Sequence, residues 1–339
     1  MIRSPARVGV AGATGAVGRE MLRVLDERGL EVDLVRALAS ERSADRSLPF
    51  GESSLTVQEL GPEGLEGLDI VLFATKPAVS REYVPVAVSK GAVAIDNSRA
   101  FRMDPGVPLV VPEVNPDAAA HHSGIIANPN CSTIQMVLVL DALHRAAGLR
   151  RVVVSTYQSV SGTGREAIEE LRTQSGDVLA GRPAVSRVYA HEIAFNCLPQ
   201  IDDFDERGDT LEETKMIEET RKIMGLQGLR IAATCVRVPV FRSHAMAVNV
   251  ETEREIAPGE AREVLSSARG VAVLDDPEEA LYPTQLAATG GDEVWVGRVR
   301  RDRSLRHGLW LWIVSDNLRK GAALNAVQIA ELIVDGVSL

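Results

Sequence analysis

One cysteine of this 339-residue chain stands where the local sequence can activate a thiol. Cys131 lies in the Asn-Cys-Ser-Thr segment 130–133, and the apolar run 134–140 predicts a buried helix capped by Asn or Ser near its start. Unpaired amides and the dipole at a helix start stabilise a thiolate and can hold an oxyanion. Cys131 is therefore the candidate nucleophile. Cys197 and Cys235 lie in apolar contexts and are expected to be buried, the commoner fate of a free cysteine.

A glycine-rich segment near the N-terminus is the second candidate for chemistry. Gly12-Ala13-Thr14-Gly15-Ala16-Val17-Gly18 follows a predicted strand (Arg7 to Ala11) and opens a helix. Glycines allow backbone amides to approach a pyrophosphate, and the helix start adds partial positive charge. A tight turn without a ligand has the same glycines, but the strand-to-helix context favours dinucleotide binding.

The turn after the second predicted strand bears on which dinucleotide is bound. Glu41 lies where an acidic residue would bind a ribose 2′-hydroxyl, which favours NAD. Arg42, flanked by Ser40 and Ser43, offers charge and hydroxyl donors to a 2′-phosphate. We favour NADP because three donors cluster there.

A thiolate beside a nucleotide site limits the reaction type. The cysteine adds to an aldehyde, oxidation gives a thioester, and phosphate releases an acyl phosphate; the reverse reaction reduces an acyl phosphate to an aldehyde. The thiol and the oxyanion require a general acid or base, and composition does not choose among the histidines. They are His121, His122, His144, His191, His244 and His307.

The pattern of elements predicts two domains, which the length of the chain also favours. Residues 1–130 alternate short β-branched runs with helical stretches, as in a doubly wound parallel sheet of the Rossmann-like α/β class. Residues 131–315 carry longer strands and an acidic helical stretch, typical of a second, α+β domain. A helical apolar face in 316–339 is expected to return to the first domain. The predicted strands are 7–11, 33–39, 69–75, 92–96, 151–159, 229–238 and 245–251.

Composition excludes several classes of protein. The net charge of −10 and an aromatic content of 4% argue against a nucleic-acid binder. The cysteine spacing predicts neither a disulfide framework nor a metal site. No apolar run is long enough for a membrane span, and the N-terminus has no apolar core of a signal peptide. We expect a cytoplasmic protein with reduced thiols and a small-molecule substrate.

Nine short motifs occur together over nearly the whole chain. They are Gly12 to Gly18, Ser40 to Ser43, Phe101-Arg102, Val111 to Asn115, Asn130 to Thr133, Tyr157 to Gly162, Glu212 to Lys215, Arg237 with His244, and Ser315-Asp316-Asn317. Each is weak alone, but in this order they resemble the aspartate-semialdehyde dehydrogenase family closely. The resemblance implies NADP-dependent reduction of L-aspartyl-4-phosphate to L-aspartate-4-semialdehyde, with release of phosphate, in lysine, methionine and threonine biosynthesis. It also implies a homodimer.

The resemblance assigns roles around the thiol. Cys131 would form the acyl thioester, His244 would accept its proton, and Gln158 would orient the substrate. Arg237 would bind the substrate α-carboxylate, for which a guanidinium is geometrically suited, and Glu212 would meet the α-ammonium group.

The resemblance also assigns anion and cofactor sites. Lys215, one helical turn after Glu212, would bind phosphate with Arg102 and Asn130. The cofactor would contact Gly12, Thr14, Gly15, Ala16, Val17, Ser40, Arg42, Ser43, Ser161, Gly162 and Asn317. The chain departs from the family pattern at Asp45, where a glycine usually closes the nucleotide turn; an acid there weakens the expectation of 2′-phosphate binding.

Two other functions fit parts of the pattern. A sister acyl-phosphate reductase, such as N-acetyl-glutamyl-phosphate reductase, would have no charged α-amine for Glu212 to bind. A catalytically inactive nucleotide sensor would not need Cys131, Gln158 and His244 together.

Overall fold

The computed structural model describes residues 5–335, and the chain divides into two compact units. One unit is formed by the residues up to Asn130 together with the segment from Ala322 onwards. The other is formed by Cys131–Gly321.

The first unit is built on a six-stranded parallel sheet. Its elements in chain order are β1 (Ala6–Ala11), α1 (Ala16–Arg28), β2 (Val32–Ala39), β3 (Ser47–Phe50), β4 (Ser53–Thr56), β5 (Gln58–Glu59), β6 (Ile70–Phe73), α2 (Pro77–Ser89), β7 (Val93–Asp96) and β8 (Ile125–Ala127). The strand order β5-β2-β1-β6-β7-β8 reverses direction between β1 and β6. Such a reversal opens a crevice at the carboxyl ends of the strands, where α/β sheets bind ligands. The predicted doubly wound sheet is confirmed, and its four predicted strands correspond to β1, β2, β6 and β7.

The central strands of this sheet are apolar because both faces are covered. All four residues of β6, Ile-Val-Leu-Phe, are buried, as expected for a parallel sheet between two layers of helices. One core contains α1 residues such as Met21 and Leu22, and the other contains α2 residues such as Val84 and Ala87.

The second unit contains a mixed six-stranded sheet in the order β10-β9-β11-β14-β13-β12. Its elements are α3 (Cys131–Ala147), β9 (Leu149–Gln158), α4 (Arg165–Leu179), α5 (Leu211–Met224), β10 (Arg230–Arg237), β11 (His244–Thr252), α6 (Pro258–Ser266), β12 (Val271–Val273), α7 (Gln285–Ala288), β13 (Val294–Arg301) and β14 (Gly308–Ser315). β9 and β10 are parallel, whereas β9, β11, β14 and β13 pair antiparallel in turn. The expected second α+β domain with longer strands is confirmed.

Local sequence explains the bounds of α5. The Thr210 hydroxyl accepts from the amide of Glu213, and the Glu213 carboxylate accepts from the amide of Thr210, a capping box. The helix ends at Gly225, whose φ of 68° is left-handed. This cap fixes where the first-turn residue Glu212 lies.

The last helix, α8 (Leu324–Asp335), follows a π-helical turn, Arg319–Ala323. The apolar face predicted for this segment is buried: Leu318, Ala322, Ala326, Ile329 and Ile333. Within the first unit, the Asn325 amide donates to the carbonyl of Val110 and to the side chain of Asn128.

The sequence predicted that both Cys197 and Cys235 are buried. Cys235 is buried, but the expectation for Cys197 is wrong, because it is exposed in the segment between α4 and α5. The residues around it in sequence are mostly apolar, but they do not cover it.

Between residues 5 and 335, no helix combines the length and apolar character that a membrane crossing needs.

Candidate functional site

The glycine turn of the first unit is built from backbone atoms. The amides of Gly12 and Ala13 donate to the carbonyl of Leu38 at 2.8 and 3.0 Å. Gly12 has a φ of 81°, and a Cβ there would lie 2.4 Å from the carbonyl oxygen of Ala74. A Cβ on Gly18 would lie 2.2 Å from the oxygen of Gly12. No other residue type fits these two positions without moving the backbone.

The helix that follows this turn begins without a side-chain cap. α1 begins at Ala16, and its N-cap, Gly15, has no side chain to cap the first turn. Gly15 is exposed, and Thr14, Ala16 and Val17 are half-exposed. The structure therefore places the predicted cofactor residues of this segment in one turn at a helix start, the usual cradle of a phosphate group.

Ser40, Arg42 and Ser43 belong to a second turn, at the end of β2. A single 3₁₀ turn, Glu41–Ser43, follows the strand, and the Ser43 amide donates to the Ser40 carbonyl at 2.7 Å. Arg42 and Glu41 are both exposed, whereas Ser43 is buried. Leu38, two residues before Ser40, holds the glycine turn, so β2 brings the two turns to the same end of the sheet.

Asp45 closes this second turn in the left-handed region, with a φ of 62°. Glycine adopts that conformation at little cost, whereas a side chain strains it. The departure from the family pattern noted in the sequence therefore falls on a position whose backbone suits glycine.

Arg102 and Asn130, predicted phosphate ligands, also belong to the first unit. Arg102 is 7% exposed, and its guanidinium donates to the carbonyl oxygens of Asn128 and Asn97 at 3.0 and 2.8 Å. Asn130 is buried at the last position of the unit before α3.

In the second unit, strand ends bring three predicted residues side by side. Gln158 at the end of β9 pairs with Arg237 of β10 on one side and with His244 of β11 on the other. His244 in turn pairs with Ser315 of β14. Residues paired across strands project from the same face of a sheet. Residues far apart in sequence thus form one polar row at an edge of the sheet.

α5 adds a carboxylate and an ammonium group to this row. The Gln158 amide donates to Oε1 of Glu212 at 3.1 Å, and Nζ of Lys215 lies 2.6 Å from Oε2 of the same carboxylate. Asp202 contacts Lys215 at 2.6 Å from the other side. Burial lowers the pKa of Lys215, but the two carboxylates more than offset it, so the pKa stands above its ordinary value. Lys215 is therefore charged in the site.

Arg237 is 5% exposed and only partly satisfied by protein. One of its terminal nitrogens donates to the carbonyl of Ser159 at 2.7 Å. Its Nε is buried without a hydrogen-bond partner among the described residues. Its backbone is fixed by reciprocal hydrogen bonds with Leu198, at 2.8 and 2.9 Å. A fixed, buried guanidinium with a spare donor is suited to a carboxylate.

His244 is fully buried, and its two ring nitrogens face different surroundings. Nδ1 lies 3.1 Å from the backbone nitrogen of Ser159 and 3.1 Å from its hydroxyl. Nε2 has no partner among the residues that the structure describes. Burial, followed by the charge of Arg237, lowers the pKa of His244 to about 3, so the ring is neutral at physiological pH.

Gly162 leaves room beside these two groups. A Cβ at this position would lie 3.0 Å from a terminal nitrogen of Arg237 and 3.2 Å from Nε2 of His244. A side chain here would therefore crowd the space that both donors border. Gly162 lies in a 3₁₀ turn, Val160–Gly162, directly after β9.

Asn317 ties this turn to β11. Its Oδ1 accepts from the hydroxyls of Ser161 and Ser159, at 3.0 and 3.3 Å, and from the amide of Ser243 at 2.9 Å. The neighbouring Asp316 is fully buried and accepts from Arg242. Ser161, Gly162 and Asn317, the predicted cofactor residues of this unit, are thus brought together.

Cys131 is the first residue of α3 and is half-exposed, unlike most of that helix. α3 packs against β9, β11 and β14, the strands that end in the polar row. A Cβ on Gly321 would lie 3.0 Å from Cβ of Cys131, and the Gly321 amide donates to the Asp316 carbonyl. The segment that follows Asn317 therefore also packs against Cys131.

The structure also identifies three residues to which the sequence assigned no role. Ser159 contacts His244, Asp202 contacts Lys215, and Gly321 contacts Cys131. Ser159 lies inside a motif found in the sequence, but no residue type signals a backbone donor. Asp202 lies in a loop at a φ of 66°, and only the fold brings it to Lys215.

Two family models match this chain. The semialdehyde dehydrogenase NAD binding domain matches residues 7–122, and the semialdehyde dehydrogenase dimerisation domain matches residues 140–320. Aspartate-semialdehyde dehydrogenase of Aquifex aeolicus is 52% identical over 332 residues, which are 97% of this chain and 98% of that protein. The chain belongs to the aspartate-semialdehyde dehydrogenase family.

Further members give the same result. The Bacillus subtilis aspartate-semialdehyde dehydrogenase is 49% identical, over 96% of both chains. The crystal structure of aspartate semialdehyde dehydrogenase II from Vibrio cholerae is 47% identical and superposes with a TM-score of 0.94, covering 97% of this chain and 98% of that one. A second structure of that Vibrio enzyme, complexed with ASA, is 46% identical with the same TM-score and coverage. The family resemblance inferred from the motifs is confirmed.

Proposed function

We propose that this chain reduces L-aspartyl-4-phosphate to L-aspartate-4-semialdehyde, with NADPH as reductant and release of phosphate, through a thioester on Cys131. The observation that carries the proposal is the buried row of Gln158, Arg237 and His244, joined by Glu212 and lying beside the helix that begins at Cys131. It supplies opposite charges for the two charged groups of an α-amino acid.

Arg237 and Glu212 recognise the amino-acid end of the substrate. The guanidinium binds the α-carboxylate with its spare Nε donor, and the carboxylate of Glu212 binds the α-ammonium group. Both side chains are at least 95% buried, so water screens neither charge well. An N-acetylated substrate has no positive charge for Glu212, which argues against the sister reductase.

Lys215, Arg102 and Asn130 bind the phosphate. Lys215 keeps its charge because Glu212 and Asp202 stabilise it, and the guanidinium of Arg102 is held in place by carbonyl oxygens. The departing phosphate carries more negative charge than the acyl phosphate it leaves, so fixed cations stabilise its release.

The start of α3 stabilises the Cys131 thiolate for attack on the acyl carbon. Gln158 orients the substrate beside it, because its amide is held by Glu212 at 3.1 Å. His244 presents Nε2 beside Gly162 and Arg237 and is the group of this centre that handles protons.

The residues of the two nucleotide turns fit an NADP cofactor. The glycine turn, in which Gly12 and Gly18 exclude any Cβ, is suited to the pyrophosphate through Gly12, Thr14, Gly15, Ala16 and Val17. Exposed Arg42, with Ser40 and Ser43, is suited to the 2′-phosphate. Ser161, Gly162 and Asn317 would contact the nicotinamide portion. When bound, the cofactor supplies the hydride that reduces the thioester.

The enzyme acts as a homodimer in the cytoplasm, in the biosynthesis of lysine (through diaminopimelate), methionine and threonine. Support for the dimer comes from residues 140–320, which match a family model described as a dimerisation domain. We also propose that residues 1–130, completed by the C-terminal segment, bind the cofactor, and that residues 131–315 carry catalysis and dimerisation.

One assay tests the reaction. NADPH oxidation is followed with L-aspartyl-4-phosphate and, in parallel, with N-acetyl-glutamyl phosphate at the same concentration. We expect turnover only of the first. Equal or preferred turnover of the acetylated substrate would reject the role of Glu212, and turnover of neither would leave nucleotide sensing as the better function.

A further inference from the structure

Ser243, the residue directly before His244, has a backbone conformation that a serine rarely adopts. Its φ of 73° lies in the left-handed region, where a side chain is strained. Such a conformation persists only where the surroundings hold it, and it is common at active sites. Because β11 begins at His244, the position of His244 depends on what holds Ser243.

Each polar group of Ser243 is held by a different side chain. Its amide donates to Oδ1 of Asn317 at 2.9 Å. Its hydroxyl lies 2.8 Å from Oγ1 of Thr289, and its carbonyl accepts from Nε2 of Gln285 at 2.7 Å. The Thr289 hydroxyl also donates to the backbone carbonyl of Gln285 at 2.9 Å. The short segment around α7 and Asn317 together therefore hold Ser243 in its strained conformation.

Gln285 makes a second contact of the same kind on β9. Its Nε2 also donates to the carbonyl of Tyr157 at 3.0 Å. A side-chain amide has two N–H donors, and here each of them has a carbonyl acceptor. Tyr157 directly precedes Gln158, just as Ser243 directly precedes His244. One side chain thus joins the peptide groups that lead into two residues of the polar row.

The segment that carries Gln285 is itself anchored to the sheet. Nε1 of Trp312 in β14 donates to the carbonyl of Pro283 at 3.0 Å. The Gly290 amide donates to the carboxylate of Asp316 at 2.7 Å. Gln285 is half-buried between these two anchors. A fixed backbone therefore directs its amide at the ends of the two strands.

We infer that Gln285 is a positioning residue, whose amide fixes the end of β9 and the start of β11 so that Gln158 and His244 face the substrate together. The inference rests on the proposed function, in which Gln158 orients the substrate and His244 handles protons. Gln285 takes no part in the chemistry itself, and its effect on the reaction passes through the backbone of Tyr157 and Ser243.

Positioning can be measured by NMR without substrate or cofactor. The histidine rings are labelled with ¹⁵N, and the His244 signals are assigned by their loss in His244→Gln. Gln285→Met keeps the length of the side chain and removes both donors, so the His244 ring signals should move, whereas those of the other histidines should not. Unchanged His244 signals in Gln285→Met would overturn the inference, whether or not the enzyme has the proposed activity.

Thr284→Ala is the matched control for a loosened segment. The Thr284 hydroxyl accepts from the amide of Ala287 and stabilises the start of α7. Its loss weakens the segment but keeps the Gln285 amide, so the His244 signals and kcat should stay native. If Thr284→Ala lost as much kcat as Gln285→Met, the stability of the segment rather than the amide would be decisive, and the inference would fail.

Turnover separates an effect on the polar row from an effect on phosphate binding. Because a small displacement of catalytic groups lowers rates by up to about 10²-fold, kcat of Gln285→Met should fall by about 10- to 100-fold. Lys215 lies on α5, so KM for phosphate in the aldehyde-oxidising direction should change little. A raised KM for phosphate with an unchanged kcat would contradict the inference. A native enzyme without activity would reject the proposed function instead, and the ring signals would still test the positioning.

Gln285→Glu is the closing test, because its hydrogen bonding changes with pH. An ionised carboxylate only accepts and would face two carbonyl oxygens, whereas a protonated carboxyl donates one hydrogen bond. Its kcat relative to that of Gln285→Met should therefore rise as the pH is lowered. Arg242, Asp316 and His244 are present in both variants, so their own titration does not affect this ratio. Equal kcat for the two variants at every pH would show that a donor at this position has no effect, and would overturn the inference.

Discussion

The nucleotide turn of the first unit and the polar row of the second are built on opposite principles. The turn consists of backbone amides in one short segment, and its key residues matter for the side chains they lack: a Cβ on Gly18 would come within 2.2 Å of a carbonyl oxygen. The polar row consists of buried polar side chains drawn from residues 131 to 321 and aligned by strand register. A backbone site is encoded locally, whereas a side-chain site depends on the whole sheet. The two sites should therefore fail in different ways when they are altered.

The largest expected effect falls on the second unit. Cys131→Ala removes the thiol at the start of α3, so kcat should fall by at least about 10⁴-fold. The first unit is unchanged in this variant. NADPH affinity, measured by fluorescence titration, should therefore stay within about twofold of the native value. A loss of about 1.4 kcal/mol of binding free energy would instead lower the affinity tenfold. Cys197→Ala is the matched control and should retain full activity. Near-native turnover of Cys131→Ala would end the thioester mechanism.

Arg237→Lys tests the side-chain geometry with the charge kept. Lysine cannot reproduce the planar fork of arginine, and a misplaced substrate loses its alignment with Cys131. We expect kcat/KM for aspartate semialdehyde to fall by about 10²-fold, the loss typical of a small misplacement.

Lys215→Ala completes this comparison. Measured in the aldehyde-oxidising direction, it should raise KM for phosphate, whereas Arg237→Lys should leave that KM nearly unchanged. If Arg237→Lys disturbs phosphate binding and Lys215→Ala does not, the two anion sites are assigned in reverse.

Gly18→Ala tests the backbone site. The added methyl group meets the carbonyl of Gly12, which cannot move without moving β1 and α1. Overpacking of this kind costs about 1–3 kcal/mol of unfolding free energy, and NADPH affinity should fall with it. Gly61→Ala, where a Cβ meets nothing within 4 Å, should change the unfolding free energy by less than about 0.5 kcal/mol. Equal denaturation midpoints for the two variants would contradict this account of the turn.

The smallest effect is expected at the exposed edge of the nucleotide site. Arg42→Ala should raise KM for NADPH by about tenfold or more, because a charge-assisted hydrogen bond contributes about 1.5–3 kcal/mol. KM for NADH should barely change. An equal rise in KM for both cofactors would show that Arg42 has only a structural role. A preference of the native enzyme for NADH would show that Glu41 and Asp45 determine the choice of cofactor.

The difference between the two regions also explains how much the sequence could predict. The glycine spacing predicted the strand–turn–helix at residues 6–28 because those contacts are local. Strands β9, β10 and β11 of the second unit were also predicted, with small errors at the ends: 151–159 was expected where β9 spans Leu149–Gln158. The long strands β13 and β14 were not predicted. The apolar stripe of the last helix was predicted from its 3.6-residue period.

Residues of the polar row were found through motifs, but their mutual arrangement was not. The pairing of Gln158 with Arg237 and with His244 depends on register between residues 79 and 86 positions apart in sequence. Ser159 acts through its backbone, and Asp202 through a left-handed loop residue. The error at Cys197 has a similar cause, because apolar neighbours in sequence do not cover a residue that the fold leaves outside.

The central claim, that the acyl group passes through a thioester on Cys131, can be tested by trapping it. The enzyme is mixed with L-aspartyl-4-phosphate without NADPH, quenched in acid, and mapped by peptide mass spectrometry. We predict one aspartyl group per chain on the peptide containing Cys131, removed by hydroxylamine and absent in Cys131→Ala. Acylation at Cys197 or Cys235 instead, or no acyl-enzyme in a preparation that turns over with NADPH, would contradict the account.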